Sequence, residues 1–315
     1  MMLKKPDISS YIYNICQIFS KKEFRGWGRK KTGNFALWCH KTFGGKLTLL
    51  EDGFIRSVAL GVDGSPSFSL VKDNTGIYYD ATSACDLEDI LNSYDFASDI
   101  KLMEDAKKAI ALIKNHHISK YNNAPLISKE TVMKYRFHKE KKRVLVIAQT
   151  QGDASLKYGM LQNFTTDEMI EAALSENPDA EVYIKIHPDV LSGKKKSDIN
   201  IEKFQKSCTV ITENLNPIAL LKHFDKVYTK TSQMGFEALL TGCGCVCFGM
   251  PFYAGWGVTQ DRSVCKRRVR THSVEEIFAA AYILYTEYHN PYKNTKSDIF
   301  DTIEEIKLKR LLAFE

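Results

Sequence analysis

The chain has 315 residues, of which 44% are hydrophobic and 26% are charged. This composition is typical of a globular protein with room for two domains, and it excludes a disordered or fibrous chain. No apolar run reaches the roughly 20 residues of a membrane-spanning helix, and no signal-peptide segment follows the first residues. The formal net charge of +6 lies in local basic clusters without any nucleic-acid-binding motif, so we expect no nucleic acid partner.

The first half of the chain predicts an α/β unit. A Gly-Trp-Gly-Arg-Lys segment at 26–30 precedes an apolar run at 47–50, and 100–113 has apolar residues at helical spacing. A charged run then opens a second unit, so we predict an N-terminal domain over 1–139 and a C-terminal domain over 140–315. The last helix, expected near 298–312, is a candidate to pack back on the first domain.

The second half predicts alternating strands and helices. Its short apolar runs, rich in Val and Ile, are typical of strands that are buried on both faces of a parallel sheet. We therefore predict an α/β fold with a doubly wound sheet. The predicted strands are 143–148, 181–186, 208–211, 226–229 and 245–248, and the predicted helices are 166–175, 217–223, 232–241 and 274–288.

Polar side chains follow five apolar runs at the point where each predicted strand ends. In open α/β sheets the ligand binds beyond the carboxyl ends of the strands, so five such clusters indicate one active-site crevice. The clusters are Glu51-Asp52-Gly53, Gln149 to Asp153, His187-Pro188 with Lys185 before them, Thr231-Ser232, and the loop 249–257.

The later clusters suit a nucleotide. Thr231 and Ser232 open a helix whose free N–H groups attract an anion, and Glu237 within it could accept bonds from ribose hydroxyls. The loop 249–257 supplies aromatic rings as flat faces and glycines for close backbone approach. His187 could donate to a phosphate oxygen. An ordinary capped helix and a structural histidine are the alternatives.

Two carboxylates complete the chemistry. Asp153 and Glu51 come from different halves of the chain, and facing carboxylates can act as acid, base or nucleophile at an anomeric carbon. A turn-capping role is the alternative for Asp153. The closely spaced Cys243, Cys245 and Cys247 lack the second pair of ligands that a zinc site needs, so we predict core thiols in a reducing cytoplasm and no metal.

With these residues in view, the chain resembles the bacterial capsule-polysaccharide β-Kdo transferases, the retaining KpsC-like family. The resemblance runs in order from about residue 24 to 291. The matching stretches are 26–30, Glu51-Asp52-Gly53-Phe54-Ile55-Arg56-Ser57, 149–155, Lys185-Ile186-His187-Pro188, 231–240 and Pro251-Phe252-Tyr253-Ala254-Gly255-Trp256-Gly257. One departure is Gly152-Asp153, where the family often has two acidic residues.

The resemblance implies two Rossmann-like domains in the GT-B architecture, and CMP-β-Kdo as donor. It also implies a double displacement with Asp153 as nucleophile, Glu51 as the base for the acceptor hydroxyl and His187 beside the leaving phosphate. No cofactor is implied, and we expect transfer to be metal-independent. Expected donor-binding residues are Gln149, Lys185, Pro188, Thr231, Ser232, Gly235, Glu237, Tyr253, Gly255 and Trp256. Expected sugar or acceptor contacts are Arg29, Asp52, Gly53, Arg56 and Ser57.

The expected partners are a CMP-sugar and a glycan or glycolipid acceptor. The basic clusters at 21–31 and 266–270 are candidates for peripheral contact with the inner face of the bacterial inner membrane, near capsule-assembly proteins. Two other functions stay open: an inverting CMP-sialic acid-type transferase, in which Asp153 would not be needed, and a non-catalytic glycan-binding or capsule-assembly protein. A nucleotide-sugar epimerase is a weaker third.

Overall fold

The computed structural model describes residues 8–61, 64–137, 140–186, 190 and 197–314. The chain forms two sheets, each covered by helices. Within the described ranges no helix is long and apolar enough to cross a membrane.

The first sheet is mixed. Its strand order is β1 (Glu23–Trp27), β2 (Lys46–Asp52), β3 (Ser69–Asp73), β10 (Thr286–Asn290) and β11 (Thr295–Ser297). Only β1 and β2 pair in parallel, and the other neighbours are antiparallel. The helices α1 (Ile8–Ile18), α2 (Lys31–Phe43), α3 (Asp86–Ser93) and α4 (Ile100–His116) belong to this half of the chain.

The second sheet is parallel throughout, as the apolar runs predicted. Its four central strands are mostly buried because helices cover both faces. The strand order is β6 (Cys208–Ile211), β5 (Glu181–Ile186), β4 (Arg143–Ala148), β7 (Lys226–Thr229), β8 (Gly244–Cys247) and β9 (Gln260–Asp261). Its helices are α5 (Lys129–Lys134), α6 (Ala154–Gly159), α7 (Thr166–Glu176), α8 (Ile201–Phe204), α9 (Pro217–Leu221) and α10 (Gln233–Thr241).

The predicted helix 274–288 is wrong at its C-terminal end. Helix α11 (Val274–Phe278) continues as a π-helical segment, Ala279–Leu284, and the chain then becomes strand β10. Thr286 and Tyr288 are buried while Glu287 between them is exposed, which is the alternation of a strand. Pairing with β3 therefore overrides the helical preference of the alanine-rich segment before it.

Residues 286–297 consequently belong to the first sheet, although the sequence assigned them to the domain 140–315. Helix α12 (Ile299–Phe314) follows and lies against α4, where Arg310 donates to the His116 carbonyl at 2.8 Å. The chain thus crosses from the first sheet to the second and returns.

A buried carboxylate connects the two halves. Glu88 on α3 pairs with Arg267 at 2.8 Å and with Arg268 at 3.0 Å, and Arg268 also donates to the carbonyls of Pro251 and Ala254. Glu88 and Arg268 are buried, so each would be costly without the other.

We expect Glu88→Ala to lower the free energy of unfolding by about 3–5 kcal/mol, because it leaves a buried guanidinium without its counter-charge. Urea denaturation monitored by circular dichroism measures this. The matched control is Glu287→Ala, which removes an exposed pair with Lys72 and should cost about 0–1 kcal/mol. Equal losses in the two variants would contradict the assignment.

Candidate active site

The short helix α6 joins both halves of the chain. The Tyr158 carbonyl accepts from the N–H of Ala81 at 3.0 Å, and the next carbonyl, Gly159, accepts from Met250 at 2.7 Å. A side chain on Gly159 would meet the Thr231 methyl group at 2.8 Å, so only glycine fits there. Asp153 caps this helix, accepting from the Ser155 N–H at 2.9 Å, and is itself exposed.

Glu51 lies at the end of β2 in a fixed, half-buried position. Trp27 Nε1 donates to Oε1 at 2.9 Å, and the Tyr79 hydroxyl donates to Oε2 at 3.3 Å. Gly28 allows this approach, since a Cβ there would lie 2.6 Å from the carboxylate. Burial raises the pKa of Glu51, and the charge of Lys120 opposes that rise. The carboxylate is therefore a better proton acceptor than an exposed glutamate.

Both carboxylates lie within electrostatic reach of one phenol. Burial, followed by nearby negative charges that include Glu51, Asp52 and Asp153, raises the pKa of Tyr78. Glu51 and Asp153, which the sequence placed at two different strand ends, therefore both act on the charge of the same buried phenol.

A cavity of about 830 Å³ lies beside Asp153. Five basic and two acidic side chains line it: Arg29, Lys30, Lys31, Lys157 and Lys230, with Asp153 and Asp198. Lys230 is neutralised by Asp198 at 2.6 Å, whereas Lys30, Lys31 and Lys157 form no ion pair with any described residue. The cavity is therefore net positive and suits an anionic ligand.

Arg29 connects the cavity to Glu51. Its guanidinium lies 4.5 Å from the centre of the Tyr158 ring and 3.3 Å from Asp80, and its backbone N–H donates to the Tyr79 hydroxyl at 2.8 Å. Tyr79 in turn donates to Glu51, so this carboxylate is one hydrogen-bonded residue away from the cavity wall.

The start of α10 carries a polar network. Gln149 accepts from the Thr231 N–H at 2.8 Å and donates to its hydroxyl at 3.1 Å, and the Ser155 hydroxyl lies 3.0 Å from the same oxygen. Ser232 caps the helix through Met234. Gly235 makes room for Tyr253, whose hydroxyl lies 2.1 Å from the position of a Cβ. Gln149, Thr231 and Ser232 are thus brought together at the predicted strand ends.

Lys185 on β5 is half-buried, and Glu237 on α10 is buried. Burial lowers the pKa of Lys185 to about 8, and its amino group donates to the Glu213 carbonyl at 3.4 Å. Glu237 accepts from the Ser119 hydroxyl at 2.6 Å. Its carboxylate therefore contacts the connection before α5, and it is not among the residues that line the cavity.

The predicted role of the aromatic loop 249–257 is wrong for its rings. Tyr253 and Trp256 were expected to offer ring faces to a ligand, but both are fully buried. Tyr253 donates to the Ser232 carbonyl at 2.6 Å, and Trp256 donates to Phe252. Gly255 has a φ of +79° and donates to Asp261. Because its rings pack into the core, the loop supports the start of helix α10.

The expected sugar contacts after Glu51 are engaged with one another. Asp52 pairs with Arg56 at 2.9 Å, and Arg56 donates to the buried Ser57 hydroxyl at 2.8 Å. Gly53 packs against Ser69. In this structure these residues order the loop beneath Glu51.

The predicted site residues His187 and Pro188 lie outside the described residues.

Sequence reasoning missed three residues that contact the predicted site residues, namely Tyr79, Tyr158 and Ser155. Ser155 stands two positions after Asp153 and could have been suspected as a cap partner. The two tyrosines gave no sequence signal, since their partners lie far along the chain.

The comparisons with known proteins agree with this arrangement. The family profile described as "Capsule polysaccharide biosynthesis protein" matches residues 27–290. The chain belongs to this family. The structure of the Thermosulfurimonas dismutans KpsC β-Kdo 2,4 transferase aligns with a TM-score of 0.82 and 44% identity, covering 90% of this chain and 86% of that one. The β-Kdo 2,7 transferase of the same organism aligns at 0.73 and 30%, covering 97% and 91%.

The curated relatives are longer. Capsule polysaccharide modification protein LipA of Neisseria meningitidis is 40% identical over 96% of this chain, which spans 44% of LipA. Lipopolysaccharide-processing protein LpsZ of Rhizobium meliloti is 35% identical over 94% of this chain and 66% of its own length. The predicted family and the GT-B architecture of two α/β units are confirmed.

Among the described residues, no group of three or more His, Cys, Asp or Glu is placed to hold a metal ion. Metal independence of the reaction stays a prediction.

The buried Glu237 makes the free energy of unfolding depend on pH. Burial raises its pKa from 4.5 to about 7, so the folded state holds the proton more tightly than the unfolded state. Stability is then full below the unfolded pKa and falls as the pH rises through about 7. Relative to Glu237→Gln, the wild type should lose about 3 kcal/mol of unfolding free energy by about pH 8. Urea titrations at several pH values measure this, with exposed Glu304→Gln as control. Parallel pH profiles for wild type and Glu237→Gln would contradict it.

Proposed function

We propose that this chain is a retaining β-Kdo transferase, which moves Kdo from CMP-β-Kdo to a glycan or glycolipid acceptor in capsular polysaccharide biosynthesis. The observation that carries the proposal is the net-positive cavity, which Asp153 lines and to whose wall Glu51 is linked through Tyr79 and the backbone of Arg29. The alignment with nearly the whole length of two KpsC transferase structures supports it.

The charge of the cavity fits this donor. CMP-β-Kdo carries a carboxylate on the sugar and a phosphodiester, so it brings two negative charges. Lys30, Lys31 and Lys157 have no acidic partner among the described residues and could offset them. Arg29 lies over the Tyr158 ring and is already paired with Asp80, so it adds less to the free positive charge than these lysines do.

We assign the nucleotide to the second sheet. Gln149, Thr231, Ser232 and Lys185 stand at the carboxyl ends of its strands, where ligands of such sheets bind. His187 and Pro188 directly follow β5 in the sequence, which supports a role for His187 beside the departing phosphate. The ribose contact of Glu237 would require its carboxylate to leave Ser119.

The reaction then proceeds in two displacements. An Asp153 oxygen attacks the anomeric carbon, the bond to the CMP phosphate oxygen breaks, and CMP leaves with the bonding electrons. Glu51 takes the proton of the acceptor hydroxyl, whose oxygen displaces Asp153 from the sugar. Two inversions retain the β configuration. The N–H of Ser155 fixes the nucleophile, and Trp27 and Tyr79 fix the base.

We further propose that the chain works in the cytoplasm at the inner face of the inner membrane, near capsule-assembly proteins. The exposed Lys21 and Lys22 at the start of the basic segment 21–31 support contact with anionic lipid, whereas residues 29–31 line the cavity. The second predicted cluster does not, because Arg267 and Arg268 are committed to Glu88.

Replacing Asp153 by Asn separates catalysis from folding. Asn is as good a helix cap as Asp, so α6 should stay in place while the nucleophile is lost. We expect transfer from CMP-Kdo generated in situ to fall by roughly 10³-fold or more, with CMP affinity by calorimetry nearly unchanged. Asp179→Asn, in an exposed loop, is the matched control.

Replacing Glu51 by Gln should slow the second displacement, so that intact-protein mass spectrometry detects a Kdo adduct that peptide mapping places on Asp153. Transfer by Asp153→Asn at the wild-type rate would contradict the double-displacement mechanism. A product of inverted anomeric configuration would favour the sialyltransferase-type alternative.

A further inference from the structure

The first helix presents an apolar face to solvent. Ile8, Ile12, Ile15 and Phe19, which we call the apolar stripe, are 77, 56, 48 and 88% exposed. Ile8, Ile12 and Ile15 lie on one side of the helix because of their spacing of four and three residues, and Phe19 stands directly after its last residue, Ile18. Single exposed apolar residues are common, but a group of four on one short segment is a feature of an interaction surface.

The orientation of this helix is fixed by its other side. Asn14 is fully buried, and its amide exchanges two hydrogen bonds of 2.8 Å with the backbone of Arg25 on edge strand β1. Tyr11 packs on Phe35 of α2 at 5.3 Å between ring centres, and Phe35 stacks on Trp38. The apolar stripe is therefore held outward, and the half-exposed Trp38 is linked to the same helix through Phe35 and Tyr11.

The charge around this surface has one sign. Between residues 8 and 45 the sequence has one acidic residue, Glu23, and seven Lys and Arg residues, three of which (Arg29, Lys30 and Lys31) line the cavity. That excess equals the formal charge of +6 of the whole chain, so the remaining residues sum to zero. Neither α1 nor α2 contains an Asp or Glu, and Lys21, Lys22 and Lys41, which we call the basic rim, are exposed.

The surface is also connected to the cleft. The first turn of α2 contributes Lys31 and Asn34 to the cavity, and Trp38 lies seven residues beyond Lys31 on the same helix. Seven residues of α-helix span about 10 Å. Helix α2 therefore links the cavity to α1, which carries the apolar stripe and packs on α2 through Tyr11 and Phe35.

We propose that the apolar stripe and the basic rim dock this chain on an anionic bilayer, with the stripe and Trp38 at the boundary between headgroups and acyl chains. The inference rests on the peripheral membrane contact proposed above and names the element that makes it. Exposed aliphatic and aromatic side chains bordered by lysines are the composition of interfacial helices. Anionic lipid is the partner that matches a basic surface with a single acidic residue.

Docking in this way would present the cavity to acceptors at the membrane surface. A lipid-linked glycan would then reach Glu51 without leaving the bilayer. A soluble acceptor would gain nothing from docking, and this difference separates the inference from the proposed function.

The test is co-sedimentation with vesicles. Wild type is mixed with vesicles of equal parts phosphatidylcholine and phosphatidylglycerol, and with vesicles of phosphatidylcholine alone. We expect binding to the anionic vesicles that weakens with added salt. The double variant Ile12→Glu with Phe19→Glu should bind at least about tenfold more weakly. Lys21→Gln with Lys41→Gln should bind more weakly and with a smaller salt dependence.

Met133→Glu is the matched control, because Met133 is 70% exposed on α5 in the other half of the chain. It should bind like wild type, and circular dichroism should show that every variant is folded. Equal binding to both kinds of vesicle, or undiminished binding by the double stripe variant, would overturn the inference.

A concentration-dependent dimer of wild type that the stripe variant abolishes would show that the surface contacts protein instead, and would also overturn the inference. Transfer to a soluble acceptor without vesicles is measured in parallel. If that activity is present while vesicle binding is absent, the inference fails and the proposed function stands. If the chain binds vesicles but transfers no Kdo, the proposed function fails.

Discussion

The arrangement of this protein depends on two consecutive carbonyls at the end of helix α6. The Tyr158 carbonyl is bound by Ala81 from the first half of the chain, and the Gly159 carbonyl is bound by Met250 from the second. Because both bonds come from backbone N–H groups, the helix cannot shift without opening one of them. Asp153 caps the same helix, so the proposed nucleophile is positioned relative to both sheets at once.

The buried ion pairs of Glu88 with Arg267 and Arg268 also oppose movement of one half of the chain relative to the other. It fixes the segment after β9 against α3, and Arg268 ties that segment to the loop beneath the start of α10. GT-B proteins are built from two α/β units, and relative motion is the default for units with a small interface. Here a charged contact and a backbone contact both oppose such motion, which favours a cleft of defined width.

The cavity is positive because only some of its basic side chains have an acidic partner within the protein. Lys230 meets Asp198, and Arg29 meets Asp80, so two of the cations are paired within the protein. Lys30, Lys31 and Lys157 have no such partner among the described residues, and they provide the positive potential of the cavity. Trp27 and Tyr79 hold the Glu51 carboxylate in a half-buried position, where burial raises its pKa and the charges of Lys120 and Lys30 oppose that rise.

The sequence by itself determined the parallel second sheet, the strand ends that carry Glu51, Asp153 and Thr231, and the family, because apolar period and short motifs are local properties. The tertiary structure decided what depends on distant partners. Residues 285–290 do not continue the helix, because the edge of β3 is free to pair with them. Tyr253 and Trp256 are buried because their rings fill space in the core. The apolar stripe of α1 became visible only when Asn14 was seen to anchor the opposite face. Local pattern predicts which segments become elements, whereas packing and long-range pairing decide which faces remain for a ligand or a surface.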